Sequence, residues 1–179
     1  MRQCQRLQLE DLLMDRSMSP RLSTLVYCTY EGQVLLLDRQ TAPYRSFLLP
    51  PGGKCEFGEI PIDCARREFA EETGYEITEP LRPRGLVYDY SRSPDWNWLI
   101  FVYSFEAKAR PTLVEEKHPL VWADLDNLDA YRIPESDRFL MGRLFDEGCS
   151  YLELAMEYRQ AEVFVRCSAH FEGQGGLFR

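Results

Sequence analysis

Glu68, Glu71 and Glu72 stand three and four residues apart within the stretch Pro61 to Thr73. That stretch has the composition of a helix. Pro61 suits a first helical position, Ile62, Ala65 and Phe69 form an apolar stripe, and Gly74 can end the helix left-handed. At about 100° per residue, Glu71 and Glu72 fall about 60° and 40° to either side of Glu68, on a face adjoining the stripe. Like charges at these spacings repel by a few tenths of a kcal/mol per pair, and acids near a helix C-terminus oppose its dipole. Helix stability therefore does not explain the cluster. A hard divalent cation such as Mg2+ or Mn2+ does, because it takes oxygen ligands and leaves positions for water and phosphate oxygens. Glu71 and Glu72 taken alone also fit a solvated acidic face.

The surrounding residues extend the pattern. Gly52 and Gly53 allow a tight turn and a close backbone approach, and Gly58 fits a second bend before the helix. Glu59 and Arg67 are too far apart for a helical pair, but a loop folding back over the helix could join them. The positions Gly53, Glu59, Arg67, Glu68, Phe69, Glu71, Glu72, Gly74 and Tyr75 together match, at every specified place, the Nudix box. Nine fixed positions arise by chance in a chain of this length on the order of once in 10^7. The sequence thus resembles the Nudix hydrolases, and Leu49-Pro50-Pro51-Gly52-Gly53 resembles the usual lead-in.

The resemblance implies an α/β fold, an α/β/α sandwich around a mixed β-sheet with the box as loop-helix-loop. It implies hydrolysis of a nucleoside diphosphate linked to another group, with water attacking phosphorus. On that reading Glu68, Glu71, Glu72 and the Gly52 carbonyl hold Mg2+ (or Mn2+), and the three carboxylates are catalytic. Gly53, Glu59, Arg67 and Gly74 are structural, with Glu59 paired to Arg67. A base is often supplied from outside the box, and Glu116 or its neighbour Glu115 is the candidate.

For the substrate, Tyr44 and Phe47 in the loop before the glycines, and Tyr90 and Trp96 in the next hairpin, offer rings for stacking. Tyr88 and Trp98 join them, although many such aromatics serve a core. The section from Trp122 to Ile133-Pro134-Glu135-Ser136-Asp137 resembles MutT-like nucleotide-pool members. Some of these recognise an oxidised purine with acids after the proline, which makes Glu135 and Asp137 candidates. The same position also suits helix capping by Ser136 or Asp137. Tyr90 stands where many ADP-ribose hydrolases carry proline, and Leu35 to Pro50 lacks the coenzyme A signature. The expected substrate is a nucleoside triphosphate, giving a monophosphate and pyrophosphate. Dinucleoside polyphosphate or nucleotide-sugar hydrolysis, or a non-catalytic nucleotide sensor, are the alternatives.

Composition sets limits on these readings. A chain of 179 residues, 45% hydrophobic and 28% charged, builds one domain with a substantial core. Its net charge of −8 argues against DNA and weighs against RNA. The six cysteines include no Cys-x-x-Cys pair, so free thiols are expected and zinc is not. Cys55 and Cys64 are read as small packing residues. The longest apolar stretch, Trp98 to Tyr103, is too short for a membrane span. With no cleavable leader in evidence, a cytoplasmic enzyme is expected.

Alternation and turn residues predict a hairpin, Leu22 to Tyr30 and Gln33 to Leu37, across Glu31-Gly32. Strands follow at Leu81 to Tyr90 and Asn97 to Ala107, the second apolar on both faces and so central, then at Leu120 to Ala123. A second helix is predicted from Glu135 to Glu147, closed by Gly148. Tyr151 to Tyr158 and Ala161 to Cys167 read as a terminal hairpin, with a helix through Leu152, Ala155 and Met156 as an alternative. The expected organisation is an arm or first strand over 1–20, the main domain over 21–148, and an extension over 149–179 on the same domain. The extension could widen the sheet, cover the substrate mouth or make a homodimer contact.

Overall fold

Glu31 and Gly32 both take positive φ, 46° and 76°, and turn the strand Arg21–Tyr30 (β1) back into Gln33–Asp38 (β2). Two left-handed residues match the right-handed twist of the flanking strands, which makes this a tight hairpin. The computed structural model describes residues 19–91, 96–112, 114, 118–160 and 163–172.

The remaining elements, in chain order, are Leu48–Leu49 (β3), Pro61–Thr73 (α1), Arg82–Ser91 (β4), Asn97–Glu106 (β5), Leu120–Asp124 (β6), a 3-10 segment Leu125–Ala130, Glu135–Leu144 (α2), Tyr151–Gln160 (β7) and Val163–Glu172 (β8). One mixed sheet runs β3-β2-β1-β5-β4-β7-β8, with β6 also paired to β2. β1 with β5, and β4 with β7, are parallel, and the other pairs are antiparallel. β5 lies between β1 and β4, as expected from a strand apolar on both faces.

The two helices cover opposite faces, giving an α/β/α sandwich. α1 lays Ala65 and Phe69 on Val26, Cys28, Leu35, Tyr103 and Phe105. The Phe69 ring meets Phe105 edge-on at 5.3 Å between centroids. α2 lays Leu140, Met141 and Leu144 on the layer containing Tyr27, Val87, Val102 and Leu154. Burying one such side chain stabilises the fold by about 1.5–3 kcal/mol.

α1 has the predicted bounds. Pro61 opens it, and Gly74 at φ 70° closes it with its N–H on the Ala70 carbonyl. α2 stops at Leu144, three residues short of its predicted end. Arg84 of β4 supplies the reason, since its guanidinium donates to the Leu144 carbonyl and, at 2.8 Å, to the Cys149 carbonyl. A cation there satisfies carbonyls that the helix leaves open. Neither Ser136 nor Asp137 caps α2. Its N-cap is Pro134, without a side-chain cap bond, and the Ser136 hydroxyl donates to Asp137 Oδ2 at 3.3 Å.

The tail forms the hairpin β7–β8, not a helix. Leu152, Leu154, Met156 and Tyr158 are all buried, a period of two that a helix could not place on one face. β7 lies against β4 because Gly85 has no side chain. A Cβ there would stand 2.1 Å from the Leu152 carbonyl oxygen.

Candidate active site

β1 and β2 pair only near their shared turn, at Thr29–Val34 and Tyr30–Gln33. Nearer its start, the free edge of β1 is taken by the loop before α1. Val26 N–H donates to the Pro51 carbonyl, Thr24 N–H to the Gly53 carbonyl, both at 2.8 Å, and Cys55 N–H to the Leu22 carbonyl at 3.0 Å. The loop runs like a strand, so its polar groups alternate. With the Pro51 and Gly53 carbonyls turned to β1, those of Gly52 turn the other way, and Gly52 N–H donates to Glu72 Oε2 at 2.9 Å. The Gly52 carbonyl therefore faces the acidic side of α1. Only glycine permits this approach, because a Cβ on Gly52 would lie 2.1 Å from Thr24 O. A Cβ on Gly53 would lie 2.3 Å from the Glu68 carboxyl carbon.

The loop over Lys54 to Glu59 folds back onto α1 and is fixed there by Arg67. Its Nε donates to Glu59 Oε1 at 2.8 Å, and Nη2 to Glu59 Oε2 at 2.9 Å and to the Lys54 carbonyl at 3.1 Å. Nη1 turns to the acids, reaching Glu68 Oε1 at 2.8 Å and Glu71 Oε1 at 3.5 Å. These bonds to Arg67 hold the Glu59 carboxyl down at about 2.

Glu68 and Glu72 are partly buried against the glycine loop, whereas Glu71 is 48% exposed. Among the described residues, no three His, Cys, Asp or Glu side chains converge as placed on a point that a cation could fill. The geometry explains why. Glu68 and Glu71 answer the Arg67 guanidinium, and Glu72 answers Gly52 N–H. The donor chemistry nonetheless fits a hard cation, since Glu68, Glu71, Glu72 and the Gly52 carbonyl offer only oxygen and adjoin one another. Glu115 and Glu116, the expected sources of a base, lie outside the described residues.

A cavity of about 480 Å³ opens from this loop, with Gly52, Gly53 and Glu72 in its wall. A wider groove of about 760 Å³, around Glu79, Arg82 and Arg84, touches none of the box acids. The cavity beside the box is the one relevant to chemistry there. Its aromatic wall is Tyr44, Trp96, Trp98 and Tyr158, with Trp96 at 6.5, 6.3 and 5.8 Å from the other three rings. Arg21 and Lys54 both lie over the Trp98 ring, at 5.3 and 5.5 Å from its centroid. Tyr44 is held at φ 66°, a conformation that non-glycine residues adopt rarely.

Of the substrate-binding candidates singled out in the sequence, Tyr44, Trp96, Trp98 and Asp137 line the cavity. Phe47 and Glu135 do not, and face a small recess of about 150 Å³ beside it. Phe47 packs edge-on behind Tyr44, under Arg132. Tyr90 lies on the opposite sheet face, stacked on Tyr88 at 5.2 Å, because it differs by one in strand parity from Asp89.

Asp89 and Tyr158 belong to the cavity and were not identified from sequence. The parity of β4 carried a signal, since Asp89 falls in step with the buried Gly85 and Val87. Burial, with Asp137 adding to it, pushes the Asp89 carboxyl up to about 8, and burial raises Asp137 to about 7. Burial also pushes the Cys64 thiol to about 12, consistent with packing and not reactivity.

A sequence model of the NUDIX domain matches residues 19–142. The chain belongs to the NUDIX domain family. It is a Nudix hydrolase, an enzyme acting on phosphorus-containing acid anhydrides. The uncharacterized Nudix hydrolase YvcI of Bacillus subtilis is 28% identical over 115 residues, 62% of this chain and 70% of YvcI. The MutT protein of Bacillus halodurans shares the fold at a TM-score of 0.71 and 20% identity, covering 83% of this chain and 97% of that one. The NUDIX domain of Shewanella oneidensis NrtR, in complex with ADP ribose, superposes at 0.61 with 16% identity, covering 76% and 96%. This Nudix hydrolase thus takes pyrophosphohydrolase chemistry on nucleoside diphosphate derivatives from its family. Among its described residues no helix is long and apolar enough to cross a membrane.

Proposed function

We propose that this Nudix hydrolase is a Mg2+-dependent pyrophosphohydrolase of the cytoplasm that cleaves a nucleoside triphosphate to the monophosphate and pyrophosphate. The observation that carries the reading is the continuity of one cavity. The Gly52-Gly53 loop and Glu72 form one part of its wall, and Tyr44, Trp96 and Trp98 form another. A diphosphate bridge at the acids leaves the nucleoside to occupy the aromatic part, whose volume of about 480 Å³ suits a small ligand.

Glu68, Glu71, Glu72 and the Gly52 carbonyl would hold the cation. When bound it supplies polarisation of phosphoryl oxygens and a lowered pKa for water. Arg67 keeps the loop and acids in register, and the close fit of Glu68 against Gly53 fixes one carboxylate. Arg21 and Lys54 in the cavity wall bring positive charge to a polyphosphate. In the net step, the oxygen of water forms a bond to phosphorus, the bridging P–O bond breaks, and pyrophosphate leaves with the bond's electron pair. The water's protons pass to solvent or to the leaving group. Free thiols at the described cysteines suit a reducing compartment.

The test is pyrophosphate release from a nucleotide panel, with and without Mg2+, by the parent, Glu68→Gln and Glu71→Gln. Turnover that survives both substitutions would overturn the assignment. Binding without turnover across the panel would indicate a sensor.

A further inference from the structure

Two cysteines reach the box from different elements, Cys55 in the loop that runs along β1 and Cys64 near the start of α1. The loop pairs antiparallel with β1. Thr24 N–H donates to the Gly53 carbonyl and Cys55 N–H to the Leu22 carbonyl, with Ser23 and Lys54 bridged between them. Side chains in such a pairing alternate between faces. Lys54 turns to the cavity, over the Trp98 ring, so Cys55 turns to the face that α1 covers. Thr24 points the same way, and its Oγ1 stands 3.5 Å from Cys64 Sγ. The two thiols meet there, and Tyr103 of β5 has both beside it.

Packing explains only one of the pair. Cys64 is buried and fills space under the helix, but Cys55 is half-buried and belongs to neither apolar cluster. Cys64 Sγ also has polar company, with Thr24 Oγ1 at 3.5 Å and the Arg67 guanidinium donating to it at 3.8 Å. Burial nonetheless keeps Cys64 a thiol, pushed up to about 12, so Cys55 is the sulfur that an oxidant meets first. Cys64 has only to answer an oxidised neighbour already in contact, where proximity makes up for weak nucleophilicity.

We propose that Cys55 and Cys64 form a modification site, a dithiol that hydrogen peroxide closes to a disulfide and a thiol reductant reopens, with turnover lost in the closed form. The Cys55 sulfur attacks one peroxide oxygen, the O–O bond breaks, and hydroxide leaves and takes up the thiol proton, giving a sulfenic acid and water. The Cys64 sulfur then attacks the Cys55 sulfur, the S–O bond breaks, and a second water departs with the Cys64 proton. The thiols lose two electrons in all, and the peroxide gains them. A dithiol reductant returns both electrons by exchange. Bringing two sulfurs from contact to bonding distance draws Cys55 toward α1 by about 1–2 Å. The loop moves with it, including the Gly53 carbonyl, 3.8 Å from Cys64 Sγ, and the Gly52 carbonyl that faces the acids. Displacements of about 1 Å at positioning groups cost up to roughly a hundredfold in rate. Formation of the bond is independent of the substrate proposed above, whereas the loss of turnover rests on that hydrolytic reading.

The experiment exposes the whole reduced protein to hydrogen peroxide at neutral pH, then alkylates it with iodoacetamide under denaturing conditions and digests it with trypsin. Lys54 and Arg66 flank the pair, so one tryptic peptide, residues 55–66, carries both sulfurs. We expect this peptide to be two hydrogens lighter and unalkylated after peroxide, and alkylated at both cysteines once dithiothreitol has been added. Pyrophosphate release should fall roughly tenfold or more and recover with the reductant. The melting temperature should rise by about 3–8 °C, as a short closed loop predicts. Cys55→Ala should keep the activity of the reduced parent within about twofold and lose the response to peroxide. Cys64→Ala should respond alike, and the half-exposed Cys55 provides a variant that folds even where the buried substitution loosens the helix. A treated peptide that still takes two alkyl groups, or that gains oxygen on Cys55 without losing the two hydrogens, would overturn the proposal. So would a disulfide that leaves turnover unchanged. If the reduced protein hydrolyses nothing in the nucleotide panel, the substrate reading falls, while peptide mass and melting temperature still decide the bond.

Discussion

Arg67 grips Glu59 with two parallel bonds, Nε to Oε1 at 2.8 Å and Nη2 to Oε2 at 2.9 Å, and so clamps the loop preceding α1 onto the helix that carries the acids. Lysine keeps the charge but cannot form the fork. Arg67→Lys should lower kcat/KM by roughly ten- to a hundredfold, and trypsin should cut faster after Lys54. Because Glu59 titrates at about 2, below the ordinary 4.5, its contribution is present above pH 4.5 and lost as the pH falls toward 2. Tryptophan fluorescence followed through an acid titration would show the change moving to higher pH in Arg67→Lys.

Removing an acid from the cluster should separate activity from stability. Glu71→Gln relieves repulsion from its neighbours, so its melting temperature should equal or slightly exceed that of the parent. Pyrophosphate release should fall by about a hundredfold or more. Equal losses of melting temperature and activity would place Glu71 in the fold alone.

The two loop glycines should respond differently to alanine. At Gly52 the new Cβ meets the Thr24 backbone at 2.1 Å with φ at 155°, so the loop must leave β1, and stability should fall by about 2–4 kcal/mol in chemical denaturation. At Gly53 it meets the end of the Glu68 side chain, which can swing aside. That variant should lose less than about 1 kcal/mol of stability but most of its turnover.

Asp89 and Asp137 set a pH dependence of stability. Their folded-state values, about 8 and about 7, lie above the ordinary 3.8, so the folded protein holds protons that the unfolded chain releases. The stability involved is complete below about pH 4 and declines as the pH rises through about 7 to 8. Asp89→Asn should flatten this slope and melt at least as high as the parent at pH 8.5. Calorimetry from pH 5 to 8.5 would measure it, and an unchanged slope would contradict the raised values.

The seam between β4 and the tail can be tested at Gly85. A Cβ there meets the Leu152 carbonyl at 2.1 Å, so alanine should part β7 from β4 at about 2–4 kcal/mol in urea unfolding. Hydrogen exchange should quicken along residues 151–160.

The box stretch was legible because its grammar is local. Pro61, the stripe through Phe69, and Gly74 specify α1 without help from tertiary contacts, and the acids follow from its pitch. The hairpin at Glu31-Gly32 was legible for the same reason. β3 was not, since two residues paired to Leu37 and Asp38 carry no period of their own. The end of α2 depends on Arg84, some sixty residues upstream, a contact that no window around Leu144 contains. The cavity was half legible. Aromatic type suggested Tyr44, Trp96 and Trp98, but parity separates Asp89 from Tyr90, and Tyr158 arrives only through the pairing of β7 with β4.

That last strand places Tyr158 in the cavity wall from a segment beyond residues 19–142, the part matched by the family. One ring of the cavity wall therefore comes from outside the stretch that holds the box acids and the other three rings, and is joined to it at the seam of β4 and β7. Diversification can proceed at one margin of the sheet while the reaction centre stays constant. Grafting a different terminal hairpin onto the same core would change what the enzyme accepts and leave how it cuts untouched.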